Sequence, residues 1–142
     1  MRKAIVSGAN GFVGSAVVKE LISQGYEVYA LVRENHYDQV PINEMVRIVS
    51  FSLENIEALG EVIPINEYEA FYHFAWNGSA GVDRADTALQ LKNAQWTVEC
   101  LQMAKRLGCK RFVPAGSIME HETIAAVYTQ GNRPGAGYIY GS

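Results

Sequence analysis

The sequence predicts an α/β fold in which a doubly wound parallel sheet of about five strands lies between two layers of helices. Three observations point there. Short apolar runs alternate with stretches whose apolar residues recur at helical spacing, and that change of period separates strands from helices. Glycines at positions 8, 11 and 14 stand where the first run gives way to the first helical stretch. The chain has 142 residues, enough for one domain around a single core.

Taken in order, Lys3 to Ser7 (KAIVS) is a short apolar run halted by glycine and reads as a buried strand. From Gly11 to Ser23, the residues Val13, Val17, Val18, Leu21 and Ile22 mark one face of a helix, which Gly25 ends. Glu27 to Val32 (EVYALV) is rich in β-branched and aromatic residues and makes the second strand. Val46 to Ser50 is the third, Ile56 to Val62 a short helix, and Ala70 to Ala75 the fourth strand. A long helix from Asp86 to Leu107 follows, with its apolar stripe through Leu91, Ala94, Val98 and Leu101 and its stop at Gly108. Arg111 to Ala115 is the fifth strand, and Gly131 to Gly137 reads as loop. Right-handed crossovers between such strands give a parallel sheet covered on both faces.

Composition narrows the functional classes. Lys and Arg number 12 against 15 Asp and Glu, for a net charge of −3, and no basic run occurs; nucleic acid is not an expected partner. The apolar stretch after Met1-Arg2-Lys3 is too short for a signal peptide, and no run approaches the ~20 apolar residues of a membrane span. Cys100 and Cys109 are the only cysteines and form no CxxC. They are expected in or near the core as reduced thiols, which suits the cytoplasm. His36, His73 and His121 are scattered and lack clustered acidic neighbours, so no metal site is expected.

The segment Gly8-Ala9-Asn10-Gly11-Phe12-Val13-Gly14 carries the chemistry. Glycines at a strand-to-helix turn permit the tight turn, close backbone approach to a pyrophosphate, and close packing of helix on strand. The pyrophosphate would meet unpaired backbone N–H groups and the positive end of the helix dipole. By itself the spacing is weak evidence in a chain with 13 glycines. Placed after an N-terminal strand and opening an amphipathic helix, it predicts a dinucleotide-binding Rossmann unit. The competing reading is a tight strand–helix turn that binds nothing.

The GxxGxxG spacing resembles the N-terminus of the extended short-chain dehydrogenases/reductases, the NAD-dependent epimerase/dehydratase group that acts largely on nucleotide sugars. The likeness runs along the chain through Phe74-Ala75, Asn93-Ala94-Gln95-Trp96-Thr97, Lys110-Arg111-Phe112-Val113 leading to Ser117, and Tyr140-Gly141-Ser142. It implies that residues 1–142 are an NAD(P)-binding Rossmann domain, with a C-terminal substrate lobe expected beyond it. The chain is read as an N-terminal piece of a longer enzyme, inactive alone, whose sheet near the fifth strand exposes apolar surface.

The resemblance also implies site residues. Gly8, Asn10, Gly11, Phe12, Val13 and Gly14 would cradle the pyrophosphate, Ser52 and Leu53 would flank the adenine, and Phe74, Ala75 and Trp76 would line the cleft. Asn93 would sit by the nicotinamide ribose. Trp76 stands where a small residue is commoner, and a core or interface aromatic is the other reading. The acidic residue that marks an NAD site at the end of strand two is missing; Val32 and then Arg33 stand there. Arg33 could pair with a 2′-phosphate, so the expected cofactor is NADP or NAD with NADP favoured, although a strand-end Arg in water is the plainer reading.

In this family a Tyr acts as acid/base, a Lys four residues later lowers its pKa, and a Ser or Thr orients the reacting oxygen. Tyr128 is followed at that spacing by Asn132 and Tyr138 by Ser142, which leaves Tyr140, whose fourth residue lies past the last one given. Ser117 and Tyr140 are the expected catalytic pair; in the loop between them, which carries Glu120, His121 and Glu122, a carboxylate could assist in a dehydratase, while solvated loop residues are the plainer reading of His121 and Glu122. The expected function is hydride transfer on a small-molecule substrate, a nucleotide sugar, by an epimerase, dehydratase or reductase in which a homodimer is possible. The alternative is a non-catalytic NADP-binding redox sensor of the atypical short-chain reductase type.

Overall fold

The computed structural model describes residues 1–117. They fall into two compact units, one of Met1–Ala75 with Trp96–Pro114, the other of Trp76–Gln95 with the segment from Ala115 onward. In chain order the elements are β1 (Lys3–Ser7), α1 (Phe12–Ser23), β2 (Glu27–Val32), β3 (Val46–Ser50), a 3₁₀ segment (Leu53–Ala58), α2 (Leu59–Val62), β4 (Ala70–His73), a second 3₁₀ segment (Gly81–Ala85), α3 (Thr87–Leu107) and β5 (Phe112–Pro114).

All four strand pairings are parallel, in the order β3-β2-β1-β4-β5. Ala4 faces Val28 on one side and Ala70 on the other, which fixes the register of the central strands. The chain winds outward from β1 to β3, then returns to place β4 on the other side of β1. That reversal opens a crevice at the carboxyl ends of β1 and β4, where doubly wound sheets bind ligands. The predicted five-stranded parallel sheet is therefore present.

The central strands earn their place by composition. β1 and β2 are buried along nearly their whole length, as strands covered on both faces must be. On one face Ala4, Val6, Val28, Ala30 and Val32 pack with Val18 and Leu21 of α1. On α3 the buried apolar residues are Trp96, Cys100, Met103, Ala104 and Leu107, an i, i+3, i+4, i+7 pattern. Gly108 closes α3 as expected: its N–H donates to Lys105 O at 3.2 Å, and Cys109 N–H donates to Ala104 O at 2.9 Å.

Three expectations change. The stripe read through Leu91, Ala94, Val98 and Leu101 is exposed, and the inward face of α3 begins instead with Gln90 and Asn93, both 1% exposed. A hydrophobic count scores these amides as polar, whereas hydrogen bonds let them be buried. Val13, expected on the buried face of α1, is 53% exposed, whereas Gly14, Val18 and Leu21 of that helix are buried. The short helix expected from Ile56 to Val62 is present, as the end of a 3₁₀ stretch running into a single α-turn, and the break at Asn55 (φ −142°, ψ 61°) lies just before it. The outer strand β3 is exposed at Arg47 and Ile48 rather than covered on both faces. At the opposite edge Val113 of β5 is also exposed. Among the described residues no helix is long and apolar enough to cross a membrane.

Candidate cofactor-binding site

Gly8 leaves β1 at φ +65°, a left-handed conformation that costs glycine little. The loop closes on itself through Gly11 N–H to Gly8 O at 3.0 Å, and α1 begins with Ser15 N–H to Gly11 O at 2.9 Å. A Cβ on Gly8 would lie 2.8 Å from the Phe74 carbonyl carbon, and one on Gly14 would run into the Gly8 carbonyl oxygen. The loop is thus pressed between β4 and the first turn of α1 with no room for side chains. Gly11, the N-cap, has extended backbone, no side-chain cap satisfies the helix, and no acidic residue occupies its first turn. The N–H groups of that turn are the kind of partners a phosphate takes. Phe12, the first residue of α1, is 93% exposed.

Ser7 and His73, which the sequence did not single out, hold this loop against β4. The Ser7 hydroxyl oxygen accepts the N–H of Phe74 at 3.1 Å and of Ala75 at 3.2 Å, and lies 2.8 Å from His73 Nδ1. With both amides donating inward, the hydroxyl hydrogen goes to Nδ1, which assigns the imidazole hydrogen to Nε2. That Nε2 is buried and meets no acceptor among the described residues. Burial pushes the His73 pKa down to about 4, so the ring is neutral at ordinary pH. The signal was a polar pair ending two adjacent apolar strands, invisible until the register Ser7↔His73 is known.

At the ends of β2 and β3 an open cavity of about 450 Å³ is lined by Arg33, Glu34, His36, Ser52 and Asn55 among others. Arg33 and Ser52, both named from sequence, are here; Leu53 is buried beneath, at 7% exposure. Ser52 also caps the 3₁₀ segment, accepting Glu54 N–H at 3.2 Å. Sequence reading missed Glu34 and His36. Phe74 and Ala75 are half-buried beside Gly8.

Trp76, Asn93 and Ser117 belong to the second unit. There Asn93 accepts Asn77 N–H at 3.0 Å and donates to Asn77 O at 2.6 Å. Trp76 Nε1–H donates to Gln90 Oε1 at 3.0 Å, and Gln90 Nε2 donates to the Gly78 and Asp83 carbonyls, each at 2.9 Å. The amides of α3 are therefore engaged in shaping the loop from Trp76 to Asp83. Ser117 lies just past β5, half-buried. Tyr140, with Glu120, His121 and Glu122, lies outside the described residues.

Comparison with known proteins agrees with this geometry. The NAD dependent epimerase/dehydratase family matches residues 4–136. The dTDP-6-deoxy-L-talose 4-dehydrogenase (NAD(+)) of Aggregatibacter actinomycetemcomitans is 29% identical over 119 residues, 82% of this chain and 42% of that enzyme. The sterol-4-alpha-carboxylate 3-dehydrogenase (decarboxylating) of Dictyostelium discoideum is 35% identical over 63 residues, 44% of this chain and 19% of that protein. The chain thus spans less than half the length of these relatives. Among solved structures, a UDP-galactose 4-epimerase shares the fold at TM-score 0.74 and 21% identity, covering 98% of this chain and 46% of that one. The Bordetella bronchiseptica enzyme WbmG, in complex with NAD and UDP, does so at TM-score 0.73 and 19% identity, covering 97% and 45%. With a Rossmann sheet, a glycine loop that leaves no room for a Cβ at Gly8 or Gly14 and a family match over nearly its whole length, the chain belongs to the NAD dependent epimerase/dehydratase family.

Proposed function

We propose that this chain is the cofactor-binding part of an NAD(P)-dependent epimerase, dehydratase or reductase whose substrate is a nucleotide sugar. The observation that carries the proposal is the glycine loop: Gly8 and Gly14 leave no space for a Cβ beneath the uncapped first turn of α1. A pyrophosphate fits that cradle. When bound, the dinucleotide supplies a nicotinamide ring that gives or takes hydride. The chain's own residues bind and orient it: Gly8, Asn10, Gly11, Phe12, Val13 and Gly14 at the pyrophosphate, and Ser52 with Leu53 by the adenine. Phe74, Ala75, Trp76 and Asn93 take the nicotinamide side. Arg33 favours a 2′-phosphate, and with it NADP. Ser117 orients the reacting oxygen, and Tyr140 passes the proton.

The sugar-nucleotide assignment is supported by the names of the relatives and neighbours above. Val98 and Leu101, exposed on α3, support self-association of the protein. The reduced thiols support a cytoplasmic setting. Calorimetric titration with NAD and NADP tests the cofactor reading, and absence of heat with both would overturn it. Incubation of the protein with NAD and UDP- or dTDP-hexoses, followed by nicotinamide absorbance and sugar analysis, tests the substrate class.

A further inference from the structure

The sequence holds two Asn-Gly pairs, Asn10-Gly11 and Asn77-Gly78. An asparagine before glycine can close onto the following backbone nitrogen, because glycine carries no side chain to block the approach. What that nitrogen and the carbonyl joined to it meet in the fold decides whether the pair reacts. The two pairs differ in this. Gly11 N–H is engaged with Gly8 O at 3.0 Å, whereas Gly78 N–H meets no acceptor among the described residues. The hydrogen bonds of Asn77 run through its backbone, so its side-chain amide is unengaged among the described residues. Asn77 is half-buried, with Ser79 and Ala80 beyond it exposed, and water reaches the pair.

One side chain grips the backbone there. Asn93 Oδ1 accepts Asn77 N–H at 3.0 Å, and Asn93 Nδ2 donates to Asn77 O at 2.6 Å. That oxygen belongs to the peptide whose nitrogen is Gly78 N. When Gly78 N–H gives up its proton, the negative charge is shared with the oxygen, where a donor is already aimed. Asn93 is 1% exposed, so the bond acts away from water and at low dielectric. We propose that Asn77-Gly78 is a site of spontaneous modification, in which the fold activates the Gly78 nitrogen and turns Asn77 into an aspartyl or isoaspartyl residue. Hydroxide takes the Gly78 N–H proton, and the nitrogen lone pair forms a bond to Asn77 Cγ. The Cγ–Nδ2 bond breaks, and the side-chain nitrogen leaves as ammonia with a proton from water. Water then opens the cyclic imide, at Cγ to leave aspartate or at the main-chain carbonyl to leave isoaspartate. Nothing is oxidised or reduced, and water is the only co-reactant. Either product brings a carboxylate into the loop. Isoaspartate also lengthens the backbone between the two atoms that Asn93 grips, which loosens the loop from Trp76 to Asp83.

The modification needs no bound dinucleotide, so its test stands apart from the cofactor reading. The whole chain is kept at mildly alkaline pH, native and in urea, and digested at intervals. Mass spectrometry reads the amide-to-acid conversion of the Asn10 and Asn77 peptides, each against its own rate in urea. Folding should slow Asn10 at least about tenfold, the worth of one backbone hydrogen bond that must break before Gly11 N can attack. Asn77 should convert in the native protein at least as fast as in urea. Asn93→Asp keeps the acceptor for Asn77 N–H and puts an anionic oxygen where the donor was. With its fold verified by circular dichroism, it should slow Asn77 about tenfold and leave Asn10 unchanged. Native Asn77 protected as strongly as Asn10 would overturn the proposal, and that wild-type comparison decides even where the variant does not fold. A folded Asn93→Asp protein that converts Asn77 at the wild-type rate would overturn the activation by Asn93.

Discussion

Acid should destabilise this protein through His73, and the size of the effect follows from where the ring sits. His73 is 3% exposed, and burial lowers its pKa from 6.5 to about 4. The unfolded chain therefore binds the proton more readily than the folded one. Stability is fully present above pH ~6.5 and is lost as pH falls towards ~4. A shift of about 2.5 units at about 1.4 kcal/mol each amounts to about 3 kcal/mol, of which about 2 is gone by pH ~5. The group is too buried for screening to reduce this much. Urea unfolding at about pH 7.5 and about pH 5 reads it directly, with His73→Gln as the comparison. Glutamine does not titrate, and the other histidines act alike in both proteins. The wild type should lose about 2 kcal/mol more than His73→Gln over this interval. Equal losses would refute the claim that a neutral, buried imidazole is held by Ser7.

Other outcomes follow from single contacts. Ser7→Ala removes the acceptor for the Ala75 N–H, one of two acceptors for the Phe74 N–H, and the donor to His73; it should cost about 2–4 kcal/mol in chemical denaturation, with Ser7→Thr restoring most of it. Gly14→Ala drives a methyl into the Gly8 carbonyl, so NAD affinity should fall at least ~100-fold by calorimetry while the sheet's circular dichroism persists. Gln90→Leu removes the Gln90 acceptor of Trp76 Nε1–H and the Gln90 donor to the Gly78 and Asp83 carbonyls; it should cost about 2–3 kcal/mol and shift the fluorescence of Trp76, best read with Trp96→Phe removing the other tryptophan. Burial pushes the thiols of Cys100 and Cys109 up to about 12, so a thiol reagent at mildly alkaline pH should label the native protein only as fast as it opens.

Much of the fold could be read from residue order alone. Lys3–Ser7 and Glu27–Val32 are bounded in the structure as the apolar runs bound them. Strands buried on both faces need continuous apolar sequence, and that is a local property. The glycine spacing likewise pointed to the loop, because only a backbone under close approach needs glycine at all three places. Local pattern failed on α3. Leu91, Val98 and Leu101 make as good a helical stripe as the residues that are buried, and the choice between faces was made by Gln90 and Asn93 bonding to a distant loop.

The sequence by itself determined the alternation of strand and helix, the place of the phosphate loop and the family, since each rests on residue types at fixed short spacings. Tertiary structure alone decided which histidine is buried against Ser7 and which side chains line the cavity at the end of β2. Ser7 meets His73 only through the β1–β4 register, and Glu34 joins Arg33 and His36 only because Asn35 turns the chain back. Such juxtapositions depend on strand register and backbone sign, which no spacing in the chain records.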